Sequence, residues 1–348
     1  MLVKKNRALL SALLIFSYPC YAQSSNETLP FQFTPSAMNT SPSSSHKTSD
    51  AVNHFAYVTN FANNTVSTCP IHEGGTLAPC TASNPGSTFS GPGAIVVNPV
   101  GSIAYVSNFY SNTISVCPIN AYGTLETCTS SSATFNGPAG VSINALGTYA
   151  YITNFSNNTV SGCPLNADGS LGTCTSFSDA TFLYPDSISI NQSGTFAYVT
   201  NSNAAKGSVS ICPVNSNGTL GTCTQDSDST FHGTAGLTIN RLGTFAYVVN
   251  GSNDYPPQTV SICPINPNGS LNACTALNSA SFQGVNFGKI SLNPANTLAY
   301  VANQTNNWIS VCPVFLNGNF GDCVSLSDAT FNQPQGVALF NFPANPLR

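Results

Sequence analysis

Apolar and polar residues alternate in short runs along this chain, and the runs are too brief and too rich in turn residues for helices. In one representative stretch, Val141-Ser142-Ile143-Asn144 alternates strictly, Ala145-Leu146-Gly147-Thr148 turns the chain, and residues 149–154 are aromatic and β-branched. A period of two with β-branched residues predicts strands, here paired as hairpins. Residues 159–166 predict a third strand. Asp168-Gly169 predicts a two-residue hairpin turn of type I′, and residues 170–175 a fourth, outer strand.

The same unit recurs. Tyr-[Val/Ile]-x-Asn begins at Tyr57, Tyr105, Tyr151, Tyr198, Tyr247 and Tyr300. A repeat of this length marks stacked supersecondary units rather than separate domains. Four short antiparallel strands form one blade of a β-propeller. The fold expected over residues 51–348 is therefore an all-β, six-bladed β-propeller of four-stranded antiparallel blades. The first repeat lacks an inner strand of its own. The final run, residues 336–341, aligns with the inner strands of the other repeats. It is expected to pair into the first blade and close the ring.

Each repeat also carries a Cys-Pro dipeptide and a second cysteine beyond the turn. The pairs are Cys69/Cys80, Cys117/Cys128, Cys163/Cys174, Cys212/Cys223, Cys263/Cys274 and Cys312/Cys323. With Asp168-Gly169 central, Cys163 faces Cys174 as a hydrogen-bonded pair, within disulfide reach. Asn217-Gly218, Asn268-Gly269 and Asn317-Gly318 give the same register. A zinc site is the competing reading, but its cysteines come in closely spaced pairs that converge from two places. One hairpin disulfide per blade follows, each contributing about 2–3 kcal/mol through loop closure.

Composition narrows the setting. Only 6% of residues are charged, against about 25% in ordinary soluble domains, so the surface relies on amides and hydroxyls. The few cations form no basic patch, which excludes a nucleic-acid partner. Lys4, Lys5 and Arg7 followed by an apolar run over 8–16 read as a secretory signal with cleavage after Ala22. The apolar run is too short for a transmembrane helix. Lipidation of Cys20 is the alternative. Residues 23–50 read as a disordered leader rich in Ser, Thr and Asn. Export to a periplasmic or extracellular, oxidising compartment is expected, and the chain is expected to be a monomer.

The recurring Ala-Tyr-Val-Thr-Asn core resembles the YVTN family of bacterial β-propeller repeats, which is related to lactonase-like seven-bladed propellers. The resemblance covers residues 51–348. It implies a propeller and leaves the activity open. Six repeats and a disulfide in each depart from the lactonase-like pattern.

Candidate chemistry is sparse. Propeller sites gather at the face where the inner strands begin. The two lead-in positions there are Gly93/Ala94, Ala139/Gly140, Asp186/Ser187, Ala235/Gly236, Gly288/Lys289 and Gln335/Gly336. Small residues predict an open channel mouth. Asp186 and Lys289 break the pattern, either as a ligand-orienting pair or as a plain ion pair. Glu73 and Glu126 lie on hairpins of the opposite face, so no carboxylate cluster is expected to hold a metal or share acid–base work, and no cofactor is expected. The repeated Asn60, Asn108, Asn154, Asn201, Asn250 and Asn303 read as loop caps. Phe89, Phe135, Phe182, Phe231, Phe282 and Phe331 read as wedges between blades. Non-repeating aromatics near the mouth are candidate ligand contacts: Trp308 foremost, with Phe61, Tyr110, Phe155, Tyr184, Tyr255 and Phe287.

The leading expectation is an exported, non-enzymatic scaffold that binds a protein or glycan through the mouth loops. A lactonase-like hydrolase or lyase with a site in the central channel near Asp186 and Lys289 is the alternative. A structural envelope or surface protein is a third reading.

Overall fold

A computed structural model describes residues 54–203, 206–251 and 258–341. The expected signal, Cys20 and the leader lie outside the described residues, as does Tyr255. Residues 51–348 form one compact unit. Its described residues build six four-stranded antiparallel sheets, the blades of a propeller. Blade 3 shows the plan: inner strand Pro138–Ile143, second Tyr149–Asn154, third Thr159–Pro164, outer Thr175–Ser178.

Ring closure is as the sequence predicts. The last strand, Pro334–Asn341, pairs antiparallel with His54–Asn60, with Val58 opposite Val337 and Phe55 opposite Phe340. The first blade is thus sealed from both ends of the propeller.

The period of two sorts side chains between neighbouring blades. In the second strand of blade 2, Ala104 and Val106 pack toward blade 1 with Tyr57 and Phe89. Tyr105 points the other way, into the interface with blade 3, beside Phe135 and Ile152. Every repeated Tyr is buried, which requires a partner for its hydroxyl. Tyr57, Tyr105, Tyr151, Tyr198 and Tyr300 each donate to a hairpin glycine carbonyl of the next blade, at 2.7–3.0 Å. Tyr247 is the exception, its hydroxyl without a partner among the described residues and its ring stacked on Phe320 at 4.9 Å. The six repeated phenylalanines sit in the inter-blade clusters, as wedges.

All six hairpin disulfides are present, one per blade: Cys69–Cys80, Cys117–Cys128, Cys163–Cys174, Cys212–Cys223, Cys263–Cys274 and Cys312–Cys323, with Cα separations of 4.1–4.2 Å. The hairpin itself corrects the expected turn. Leu165 bridges Leu171, the Asn166 N–H donates to the Ser170 carbonyl, and the Gly169 N–H to that of Asn166. The loop therefore has three central residues. Only Gly169 is left-handed, at φ 83°, whereas type I′ needs positive φ at both central positions. The residue gained at the turn is absorbed before Cys174, because Gly162 faces Thr175. The outer strand starts after the second cysteine, not at residue 170. The short Cα spacing matches a non-hydrogen-bonded pair rather than the hydrogen-bonded pair expected.

Cys128 and Cys323 need the same correction. The outer strands of blades 2 and 6 are Thr129–Ser130 and Val324–Ser327, so neither cysteine lies in the strand expected to carry it. Outside the ladder, their backbone groups find partners in the connection from the preceding blade. The Cys128 N–H donates to the Pro85 carbonyl at 3.2 Å, and the Cys323 carbonyl accepts from the Ser281 hydroxyl at 3.1 Å.

Asp179, Asp228 and Asp328 tie the outer edge together elsewhere. One oxygen of each carboxylate accepts from the Thr two residues on, and the other from the backbone N–H of the next blade's second cysteine: Cys223, Cys274 and Cys80. Partial burial alone would raise these carboxyl pKa values. The hydrogen bonds outweigh it and hold all three below the usual range. Among the described residues no helix is long and apolar enough to cross a membrane.

Candidate active site

Inner strands begin with a bulge at the channel mouth. In blade 3, Pro138 faces Asn154 but Val141 faces Ile152, so one extra residue is accommodated at Ala139-Gly140. A hydroxyl from the second strand serves that bulge. Thr153 accepts from the Gly140 N–H at 2.7 Å and donates to the Asp186 carbonyl of the next blade at 3.0 Å. Thr59, Ser107 and Thr200 do the same in blades 1, 2 and 4. These four hydroxyls stitch neighbouring inner strands together, a role the sequence reading missed. The signal was present in the third position of the Tyr-Val-Thr-Asn motif, where blades 5 and 6 carry Val249 and Ala302.

The stitching gives the small lead-in residues a local reason. A Cβ on Gly140 would lie 2.6 Å from the Asp186 carbonyl oxygen, and one on Gly336 2.5 Å from that of Gly93. The lead-in residues are small because adjacent backbones nearly touch there.

Asp186 and Lys289 meet. The Lys289 ammonium lies 2.6 Å from Asp186 Oδ1, with both side chains buried. The two residues belong to blades 4 and 6, so the pair reaches past the inner strand of blade 5 at the head of the channel. Small Ala235 and Gly236 occupy that strand's lead-in. Oδ2 of Asp186 is buried with no hydrogen-bond partner among the described residues. Burial pushes the Asp186 carboxyl up from its usual range, and Lys289 offsets this only in part. The plain ion-pair reading accounts for Oδ1 and leaves Oδ2 unexplained.

Asymmetry concentrates on the same side. Four residues separate the second and third strands in blades 1, 2, 3 and 6, but six in blade 4 and eight in blade 5. Blade 6 also carries two extra residues between Phe282 and Ile290, compared with Phe331 to Val337. That insertion costs Asn303 the contact its counterparts keep. The Oδ1 atoms of Asn60, Asn108, Asn154, Asn201 and Asn250 each accept a backbone N–H from the lead-in loop, whereas Asn303 Oδ1 has no partner among the described residues. All six asparagines donate to strand-three hydroxyls, so they are tied into the blades rather than forming a free ring of amides.

The candidate aromatics divide. Trp308 is half-buried and its indole N–H donates to the Ser281 carbonyl at 3.0 Å, so it is packed locally rather than held out as an exposed anchor. Tyr110, Tyr184 and Phe287 are exposed and Phe155 is half-buried. Among the described residues no three carboxylate, imidazole or thiol groups converge. At the channel's opposite end a cavity of about 270 Å³ lies between blades 2, 3 and 4, lined by Val97, Pro99, Ile143 and Ile190 among others. It carries no ionisable side chain.

Comparison with known proteins bears on this geometry. Residues 21–230 match the model of a family described as lactonase, 7-bladed beta-propeller. No curated protein matches the chain. Among solved structures, a putative 6-phosphogluconolactonase from Bacteroides uniformis is similar at 18% identity and TM-score 0.59, over 84% of this chain and 86% of that one. The periplasmic gluconolactonase of Pseudomonas aeruginosa is similar at 14% identity and TM-score 0.59, over 83% and 99%. A chain of the nidogen/laminin complex is similar at 12% identity and TM-score 0.63, over 82% and 98%. At these identities the structures speak to fold alone.

The family match overturns the leading functional expectation of a non-enzymatic scaffold. That expectation rested on the lack of a carboxylate cluster, and a single buried carboxylate beside a cation suffices for other acid–base chemistry. With six sheets where the family's description has seven, the chain belongs to the lactonase β-propeller family.

Proposed function

We propose that the chain is a lactonase-like hydrolase acting at the head of its central channel, with Asp186 as general base and Lys289 as the oxyanion partner. The observation that carries this is the buried, unpartnered Oδ2 of Asp186, held beside an ammonium group. A general base works best with its pKa moved toward the operating pH, and burial moves Asp186 in that direction. The names of the similar structures and the family's description favour a lactone substrate.

In this reading Oδ2 takes a proton from water as the water oxygen bonds to the lactone carbonyl carbon. Lys289 has three N–H donors and spends one on Asp186, leaving others for the carbonyl oxygen as it gains charge. When the adduct collapses, the ring C–O bond breaks and the leaving ring oxygen takes the proton back from Asp186. The sum is lactone plus water giving the open hydroxy acid. Asp186→Asn removes the base, and Lys289→Gln removes the charge but not the hydrogen bonding. Steady-state hydrolysis should be lost in the first and lowered in the second. Full activity in Asp186→Asn would refute the assignment. The six disulfides support an oxidising, exported setting, as does the signal-like sequence of residues 1–22.

A further inference from the structure

Five aromatic rings run along the mouth face of blades 1 to 4. Phe61 lies 5.2 Å from Tyr110, Tyr110 5.7 Å from Phe109, Phe109 6.0 Å from Phe155, and Phe155 5.3 Å from Tyr184. Each comes from a loop after a second strand or before an inner strand. The rings touch edge to face or tilted, yet Tyr110 is 64% and Tyr184 46% exposed. Core wedges such as Phe89 and Phe135 are buried, so this row serves solvent or a ligand rather than the blade interfaces.

Tyr184 ends the row under strain. Its φ is 51°, at the position where blades 2, 3 and 5 place Gly91, Gly137 and Gly233. A left-handed conformation is unfavourable for a residue that carries a Cβ. The Asn158 carboxamide holds it there, accepting the Tyr184 N–H at 2.7 Å. Blade 1 places Gln333 at the same position, at φ 53° and held by Asn307 in the same way, so blade 4 differs in presenting a ring there. Asp186 follows two residues on in the chain, at the start of the inner strand Pro185–Ile190.

The chemistry of the loops is uniform. Residues 61–64, 109–112 and 155–158 contain aromatic, amide, hydroxyl and alanine side chains and no ionisable side chain but the Tyr110 phenol. The exposed ammonium of Lys206 belongs to the blade 4 loop, beyond the end of the row. Binding a phosphate or carboxylate calls for charge-assisted donors along its path. Aromatic faces flanked by amides and hydroxyls instead suit uncharged sugar rings, with C–H groups on the faces and hydroxyls on the edges.

We propose that this row is a stacking track for neutral sugars, and that the lactone delivered to Asp186 is the terminal aldonolactone of an uncharged oligosaccharide. The inference rests on the hydrolase reading above and names its substrate class. It is tested by the kcat/KM of the wild-type chain for cellobiono-1,5-lactone and maltobiono-1,5-lactone, against glucono-1,5-lactone and 6-phosphoglucono-1,5-lactone. A preference of about tenfold or more for a disaccharide lactone is expected, expressed in KM. Tyr184→Gly should bring that ratio close to one while the protein unfolds at or above the wild-type temperature. Phe155→Ala, at the ring next to Tyr184, should lower the ratio as well, which covers the case of a Tyr184 variant that fails to fold. Hydrolysis of gluconolactone with no disaccharide preference overturns this inference and leaves the hydrolase reading standing. A preference for the phosphorylated lactone, or one that survives both substitutions, also overturns it. No turnover of any of the four lactones overturns both.

Discussion

Replacing Lys289 by Met leaves Asp186 as a buried charge without its partner. At 2.6 Å the pair's attraction is about 6 kcal/mol for an effective dielectric of about 20. Desolvating two ions costs a comparable amount, so the intact pair is close to neutral for stability. Removing one partner keeps Asp186's desolvation cost and loses the attraction, and such substitutions typically cost about 3–5 kcal/mol. The Asp186 carboxyl is already raised, and without Lys289 it rises further. A group whose folded pKa exceeds its unfolded value stabilises fully below the unfolded value and loses that contribution as pH rises through the folded one. The penalty of Lys289→Met should therefore be largest at neutral pH and shrink as pH falls toward about 4, the ordinary carboxylate range. Urea denaturation of the oxidised protein at about pH 7 and about pH 4.5 reads this as a midpoint shift at constant slope. Adding Asp186→Asn should restore the midpoint to within about 1 kcal/mol of wild type, because neither charge is then buried. A Lys289→Met variant as stable as wild type at neutral pH, or a double variant no better than the single, would refute the reasoning.

Two further outcomes follow from the fold. Deleting residues 336–348 removes the strand that seals blade 1 and uncovers Tyr57 and Val58; the truncated chain should aggregate or unfold at a much lower temperature, and an unchanged melting temperature would contradict the closure. Asp179→Asn replaces an acceptor facing the Cys223 N–H by an amide that can turn a donor toward it. Because the carboxyl's folded pKa is depressed, its stabilisation is present above the ordinary carboxylate range and lost as pH falls through the folded value, so the loss on substitution should be clear at neutral pH and fade in thermal melts as the pH is taken below the ordinary carboxylate range.

Most of the architecture was legible because the repeat encodes it several times over. The Tyr-Val-Thr-Asn strand and the unpaired final strand each had one physical reading, the cysteine pairs favoured a disulfide over zinc, and all three hold. The hairpin turn was not legible, since Asn-Gly and Asp-Gly suit both a two-residue turn and a three-residue turn with glycine left-handed. One misplaced residue then shifted the outer strand, which is why the second cysteine of every pair, Cys128 and Cys323 included, stands just ahead of its strand rather than inside it. At the mouth, Asp186 and Lys289 stood out as charges among small residues. Their meeting across an intervening blade depends on ring geometry that no local pattern carries. Phe109 escaped notice because an aromatic beside a strand end looks like core. Tyr184 at a glycine position and the lengthened loops of blades 4 and 5 were visible by alignment of the repeats, and they mark where the six-fold plan is broken. Trp308 misled because its rarity suggested exposure, whereas its indole N–H serves the Ser281 carbonyl.

The central claim is that this propeller hydrolyses a lactone with Asp186 as base. Acid released from glucono-1,5-lactone and cellobiono-1,5-lactone can be followed in a pH-stat near neutrality, corrected for spontaneous opening, with wild type and Asp186→Asn run side by side. The account predicts enzyme-dependent acid release by wild type that rises with pH as Asp186 ionises and disappears in a folded Asp186→Asn protein; release no faster than the uncatalysed rate, or equal release by both proteins, would contradict it.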